Sequence, residues 1–162
     1  MNRMVSVFMA VVLAASFMMS TAQAAEKVRS QMLAFVVTSE NGKETLKKAA
    51  TAEPGNVLEY QLAYTNTSAE AMSGLNVAVP VPANTRYLDK TAITGVPSRF
   101  EVSIDGGKTW EGEPVKRLRK DNNGLLKEMV VPATEYTNLR WLVQRPLKGG
   151  EVQQFTYRIQ VI

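Results

Sequence analysis

The sequence predicts an all-β domain that folds as an antiparallel β-sandwich and is preceded by a cleaved signal peptide. Three observations support this fold class. An apolar leader opens the chain, apolar and polar residues alternate along several later segments, and turn-forming residues separate those segments. Alternation with a period of two residues is typical of strands that bury one face. Short strands that follow one another with such turns between them are typical of antiparallel sandwiches.

The leader is an almost wholly apolar run at residues 4–19, and it follows the single charge of Arg3. Ala22 and Ala24 then supply the small-x-small pattern that a signal peptidase recognises, because large side chains do not fit its two shallow pockets. Cleavage is therefore predicted before Ala25. The alternative is a retained membrane anchor, but the apolar run is shorter than the roughly 20 residues that span a bilayer.

Cleavage at this point defines the expected domain organisation. Residues 1–24 form the signal peptide, and residues 25–162 form one domain. The protein is expected to be exported, either to the periplasm or out of the cell, and the processed chain is not expected to span a membrane.

Five apolar rows predict the main strands, because each row places apolar residues at alternate positions. The rows are Leu58 to Tyr64, Leu75 to Val81, Phe100 to Ile104, Leu139 to Val143 and Phe155 to Val161. A continuous apolar and β-branched run at residues 32–37 predicts a sixth strand, while residues 91–94 and 125–131 are weaker candidates. Residues 42–52 have a helix-friendly composition and fit either a short helix or a connection at a strand edge.

The absence of two residue types excludes most catalytic mechanisms. The chain contains no His and no Cys. It therefore lacks the usual ligands for zinc or copper, the usual general base near neutral pH and any Ser-His or Cys-His nucleophile pair. The acidic residues show no calcium-loop spacing, so neither a metal nor a cofactor is expected. Without disulfides, core burial alone must hold the fold.

The charge balance is modestly basic. The leader carries Arg3 and no acid, so residues 25–162 keep 18 of the 19 basic and all 15 acidic side chains. An excess of this size allows weak contact with anionic lipid or polysaccharide, but it does not indicate nucleic-acid binding.

The densest charge cluster contains Lys116, Arg117, Arg119 and Lys120. These residues interrupt the strand alternation next to a turn, so they are predicted to form an exposed loop. One interpretation is an anion-binding loop for phosphate or sulfate groups of an envelope polymer or lipid. The other interpretation is a solvated hairpin end, where like charges favour exposure.

Another segment matches the pattern Ser-x-Asp-x-Gly-x-Thr-Trp, with Ser103, Asp105, Gly107, Thr109 and Trp110 at the specified positions. This segment resembles the Asp-box, a hairpin repeated in sialidases and related propellers. The Asp side chain can accept backbone N–H bonds across the turn, Gly permits positive φ, and Trp can pack across the hairpin base. One such hairpin cannot build a propeller, which needs several blades, so a structural role is expected.

Two further segments of the chain carry a family resemblance. The first is a turn, a tyrosine-bearing strand and an Asn-centred turn at residues 54–68, followed by a strand that ends in the pair Val81-Pro82. The second is the closing hairpin at residues 147–161. In order and spacing they resemble the prokaryotic conserved-repeat family, an immunoglobulin-like domain of unknown function found in bacterial and archaeal surface and exported proteins. One departure is Val79, where the family usually carries a polar residue, often Asp, so no role of that acid is carried over.

The resemblance implies an immunoglobulin-like fold in a surface or envelope setting, and it supplies no catalytic residues. The leading hypothesis is therefore a non-catalytic module that acts through protein contacts in the bacterial envelope, as an accessory or adhesion-type protein. An alternative is a module that binds carbohydrate, which the Asp-box and the aromatic residues outside the apolar rows, Tyr87 and Trp110, suggest, or one that binds a polyanion, which the basic cluster suggests. A remote alternative is a small glycosidase that uses carboxylates.

Overall fold

The computed structural model describes residues 27–162. The predicted signal peptide at residues 1–24, with its cleavage site at Ala22, Ala24 and Ala25, lies outside the described residues. Within residues 27–162 the chain is all-β, as predicted, and has one 3-10 turn, Ala133–Glu135. The strands are β1 (Val28–Glu40), β2 (Lys43–Lys48), β3 (Val57–Asn66), β4 (Asn76–Pro80), β5 (Thr85–Tyr87), β6 (Ile93–Thr94), β7 (Ser98–Ser103), β8 (Lys116–Lys120), β9 (Leu126–Val130), β10 (Asn138–Val143) and β11 (Val152–Val161).

The strands form three antiparallel sheets. The large sheet has the order β2-β1-β3-β11-β5, and β6 also pairs with β11. The small sheet has the order β4-β10-β7. Strands β8 and β9 pair with each other in a separate two-stranded sheet. None of the described residues belongs to a helix long and apolar enough to cross a membrane.

The five predicted apolar rows are confirmed as strands β3, β4, β7, β10 and β11, and the predicted sixth strand is confirmed as β1. The pairing of β3 with β11 explains why alternation is so clear there. Leu62 lies opposite Phe155, and Tyr60 lies opposite Tyr157. Directly opposite residues of an antiparallel pair share a face, so the apolar rows of the two strands form one apolar surface.

The less clear segments are also strands. Residues 42–52 contain β2 rather than a helix, and every residue of β2 is exposed. Strand β2 is at the edge of the large sheet and contains three lysines. Lysines are common on edge strands because their charge discourages pairing with another chain. The weaker candidates at residues 91–94 and 125–131 contain β6 and β9.

Aromatic side chains join the large and small sheets in one core. Trp141, in the central strand of the small sheet, is almost fully buried. Its ring centroid lies 5.5 Å from that of Phe155 and 6.3 Å from that of Tyr157, both on the large sheet. Tilted aromatic pairs at these distances add to the stabilisation that burial provides. The inward faces of the two sheets therefore pack against each other around Trp141.

Two buried polar residues at one end of the core behave differently. Asn66 is fully buried and satisfied: its Nδ2 donates to the carbonyl of Leu147 at 3.0 Å, and its Oδ1 accepts from the amide of Ser68 at 2.9 Å. Gln153 is equally buried, but neither its Nε2 nor its Oε1 has a hydrogen-bond partner among the described residues. The Arg145 guanidinium contributes most to lowering the pKa of Glu151, and the Gln153 amide lies near enough to add to that effect, yet no well-formed bond joins Gln153 to Glu151.

Replacing Gln153 by Met is expected to stabilise the protein. An unsatisfied buried polar group costs about 1–3 kcal/mol, and Met has a similar length without the amide. The melting temperature of Gln153→Met should rise relative to the unmodified chain. Gln154→Met is the matched control, because Gln154 is the exposed neighbour on the same strand and should change the melting temperature little. A lower melting temperature for Gln153→Met would mean that the amide makes a stabilising contact.

Candidate functional site

The segment that resembles an Asp-box forms a tight turn after strand β7, and the Asp105 carboxylate is used within it. Its oxygens accept bonds from the amide of Lys108 at 3.0 Å, the amide of Thr109 at 2.9 Å and the hydroxyl of Thr109 at 2.6 Å. The Ser103 hydroxyl donates to it at 2.7 Å. These donors favour the ionised form, so they hold the pKa of Asp105 well below its ordinary value, with the Thr109 hydroxyl contributing most.

Trp110 closes this turn, and one of its faces is occupied. Gly107 has a φ of +84°, and the Trp110 ring lies against it. The Arg140 guanidinium lies 4.4 Å from the centre of the Trp110 ring, which is a cation–π distance. Trp110 is half-buried. The predicted hairpin residues therefore come together in one turn whose polar and aromatic groups bind each other.

The basic segment is a strand, not the loop predicted from the sequence. Strand β8 contains Lys116, Arg117, Arg119 and Lys120 and pairs with β9 along its whole length. The prediction failed because four of the five residues of the strand are charged, and these charges lie on both of its faces. Alternation of apolar and polar residues is therefore missing, although the backbone is extended.

The two arginines of β8 are bound to carboxylates elsewhere in the chain. Arg117 makes a two-pronged contact with Glu111. Arg119 makes another with Glu135, in the 3-10 turn, with N–O distances of 2.7 and 2.6 Å. These bonds lower the pKa of both glutamates and raise the pKa of both arginines. Both guanidinium groups thus hold the hairpin to the body of the domain.

The two lysines of β8 lie on its other face. The ammonium group of Lys116 is 2.9 Å from the Glu128 carboxylate across the hairpin. Lys120 has no ion pair within residues 27–162. Only one of the four predicted anion-binding side chains is therefore unpaired in the described part of the chain, which weakens the anion-binding interpretation.

The β8–β9 hairpin has two chemically different faces. The register places Arg117 opposite Met129 and Arg119 opposite Lys127, on the inner face that is bound to the body. The opposite face, which we call the outer face, carries large aliphatic side chains that are open to solvent. These residues are Leu118, Leu126 and Val130, which are 72%, 67% and 57% exposed.

The base and the tip of the hairpin are both well defined. At the base, Val115 and Val131 are buried in the core, and the amide of Val131 donates to the carbonyl of Val115 at 2.8 Å. At the tip, the Asp121 carboxylate accepts from the amides of Asn123 and Leu125 at 2.9 and 3.0 Å. A two-stranded hairpin alone is only marginally stable, so these contacts explain how it holds its shape.

The site residues predicted from the sequence do not include Leu118, Leu126 or Val130. A signal was present, because Leu118 stands alone among four bases, where a core-facing leucine is not expected. That signal becomes interpretable only when the register shows Leu118 on the face away from the body.

Comparison with protein families, with curated proteins and with solved structures finds no match to this chain.

Asp105→Ala is expected to lower the melting temperature by a few degrees, because the turn loses its bonds to Ser103, Lys108 and Thr109. A carboxylate whose pKa is lowered by folding stabilises the folded protein. This contribution to the free energy of unfolding is complete above the pKa of the unfolded state and is lost as pH falls through the pKa of the folded state. The difference from the unmodified chain should therefore shrink below pH 3.8, the ordinary value for Asp. Lys108→Ala is the control, and an equal loss in both variants would contradict the assigned role of Asp105.

Replacing Arg117 and Arg119 together by Gln is expected to loosen the hairpin, because both ties to the body are removed. Amide hydrogen exchange in β8 and β9 should become severalfold faster, while exchange in β3 and β11 stays the same. The matched control replaces Lys116 and Lys120 by Gln, which removes two charges from the same strand without touching the body. Equal exchange in the two variants would show that the arginines do not hold the hairpin.

Proposed function

We propose that this chain is an exported, non-catalytic β-sandwich module with an immunoglobulin-like fold, and that it binds a protein of the bacterial envelope through the outer face of the β8–β9 hairpin. The observation that carries the proposal is the set of three large aliphatic side chains exposed on one face of a small, firmly attached hairpin. The apolar leader and the family resemblance support the envelope setting.

The energetics of exposure favour a partner. Fully burying one leucine or valine side chain contributes about 1.5–3 kcal/mol. Single exposed apolar residues are common on protein surfaces, but a contiguous apolar patch with polar residues around it marks an interaction site. Here Leu118 is the diagonal neighbour of both Leu126 and Val130 on two paired strands, and Lys116, Lys120 and Glu128 occupy the alternate positions of the same face. Exposed aliphatic side chains interleaved with charged ones offer a protein partner both apolar area to bury and charges that fix its orientation.

The same chemistry allows a second candidate, the surface of an anionic membrane. Leu125 and Leu126 are exposed at the hairpin tip, and Leu126 lies opposite Lys120, which has no ion pair among the described residues. Leucines that enter a lipid interface next to lysines that meet its headgroups are typical of peripheral attachment. We favour a protein partner because most of the basic charge of the segment is bound to carboxylates of the chain itself.

Carbohydrate binding has weaker support. Trp110 is half-buried, and Arg140 occupies one of the ring faces on which a sugar would stack. The polar groups of the adjoining turn bind one another.

The test compares proteins that co-purify with the chain from the envelope fraction of its own cells. The variant Leu118→Ser with Leu126→Ser should recover its partner at least about tenfold less well, because two buried leucines are lost from the interface. Its melting temperature should change little, since both residues are exposed. Undiminished recovery of the partner would refute the proposal.

The matched control is Ile93→Ser with Ile162→Ser, because those residues are 61% and 66% exposed but lie away from the hairpin. This control should keep the partner. A parallel flotation assay uses vesicles of phosphatidylglycerol and phosphatidylethanolamine. If vesicle binding depends on the two leucines and no protein does, the partner is a lipid surface and the protein-contact proposal is wrong.

A further inference from the structure

A cleft of about 570 Å³ opens beside the base of the β8–β9 hairpin. Three separate segments line it: residues 86–90 after β5, residues 113–114 before β8, and residues 130–136 after β9. Its volume is within the range of sites that accept a small molecule or a side chain. Val130 belongs both to this cleft and to the outer face of the hairpin, so the two surfaces are continuous.

The accessible walls of the cleft are aliphatic. Pro114, Val130 and Pro132 are exposed there, while the tyrosines beneath them are buried. Tyr87 and Tyr136 stack on each other with ring centroids 6.1 Å apart, so they form a rigid floor and do not offer a free aromatic face. Such walls suit a narrow aliphatic chain better than a sugar ring, which needs an open aromatic face for stacking.

Two carboxylates stand at this cleft without a partner of opposite charge. Asp89 and Glu113 form no ion pair within residues 27–162, whereas eight other acidic residues of that part of the chain do. Glu113 is exposed as a residue, but its carboxyl is sufficiently desolvated that burial, followed by repulsion from Asp89, raises its pKa. The Tyr136 hydroxyl faces the same carboxyl.

The basic residues of the cleft leave this negative pair uncompensated. Arg86 donates from Nε and Nη2 to the side-chain oxygen of Gln160, at 3.1 and 2.6 Å. Lys90 is near enough to lower the pKa of Glu113 slightly, but it forms no ion pair with either acid. A cation from outside the chain would therefore gain the attraction of two carboxylates in a partly dry site.

We propose that this cleft receives a lysine or arginine side chain of the protein partner. The aliphatic stem lies against Pro114, Val130 and Pro132, and the charged end binds Glu113 and Asp89. A long basic side chain combines an apolar stem with a cationic end, which is the chemistry that these walls and carboxylates together complement. The assignment of this side chain to the partner rests on the proposed function, because the cleft continues into the outer face at Val130.

The experiment titrates the purified protein with N-acetyl-arginine N-methylamide and follows backbone amide signals by NMR. Amides of residues 88–90, 113, 131 and 133–136 should shift together. The variants Glu113→Gln and Asp89→Asn should each weaken binding about fivefold, the effect of removing one partly exposed charge. Glu53→Gln and Glu70→Gln are matched controls, because these exposed acids also form no ion pair within residues 27–162 but lie outside the cleft. Both controls should bind the arginine amide as the unmodified chain does.

Three comparison ligands sharpen the result. N-acetyl-citrulline N-methylamide has the shape of the arginine compound without its charge, and it should bind at least about fivefold more weakly. Equal binding of the two compounds would overturn the proposal. The other two ligands are N-acetyl-glutamate N-methylamide and N-acetylglucosamine. If either of them shifts the same amides in place of the arginine compound, the cleft is an anion or a sugar site and the proposal is wrong.

This test separates the cleft from the hairpin. The variant Leu118→Ser with Leu126→Ser should bind the arginine amide normally, because neither leucine lines the cleft. If the unmodified chain ignores the arginine amide while its partner still depends on the two leucines, the cleft proposal fails and the hairpin proposal stands. If the amide binds and the partner does not need the leucines, the hairpin proposal fails instead.

Discussion

The packing of Trp141 against Phe155 and Tyr157 is the contact on which the rest of this domain depends. Trp141 occupies the central strand of the small sheet, and its two ring partners lie on β11, an inner strand of the large sheet. No disulfide can join the sheets, because the chain has no Cys. Burial of these large rings, at about 25 cal/mol for each Å² of apolar surface, is therefore the principal force that holds the sheets together.

Two surface features, a turn and the β8–β9 hairpin, are both attached to this core. The turn at residues 103–110 follows β7, and its Trp110 contacts Arg140, the residue before Trp141. The β8–β9 hairpin enters the core through Val115 and Val131. These two attachments have different consequences. The turn satisfies its own polar groups and presents little that is free, whereas the hairpin binds its two arginines on one face and exposes three large aliphatic side chains among charged ones on the other.

The sequence predicts the two main sheets well and the hairpin poorly, and one physical reason explains both results. In β3 and β11 the buried face is apolar, so a period of two marks the strand. In β8 the face toward the body carries Arg117 and Arg119, whose burial is compensated by Glu111 and Glu135. Their partners are separated from them along the chain, so no local pattern marks the arginines as inward.

The cleft could not be predicted from the sequence for a related reason. Its residues come from three segments that are far apart in the chain, and each segment alone is an ordinary turn or strand end. Asp89 and Glu113 look like any exposed acids until the fold brings them to one cavity. What makes them distinctive is that they line one cleft and that neither forms an ion pair within residues 27–162, and the sequence alone does not carry that information.

The arrangement of the hairpin also couples its stability to binding. A two-stranded sheet gains little from its own hydrogen bonds in water, so its order depends on Val115 and Val131 at the base and on the two arginine contacts along its inner face. A partner that covers Leu118 and Leu126 adds the missing apolar layer on the other side. By mass action, a ligand that binds only the ordered hairpin stabilises it, and whatever orders the hairpin raises the affinity for the ligand. If the hairpin binds a partner as proposed, Arg117 and Arg119 contribute to that binding through the order of the hairpin, although they face away from the surface that the partner would cover.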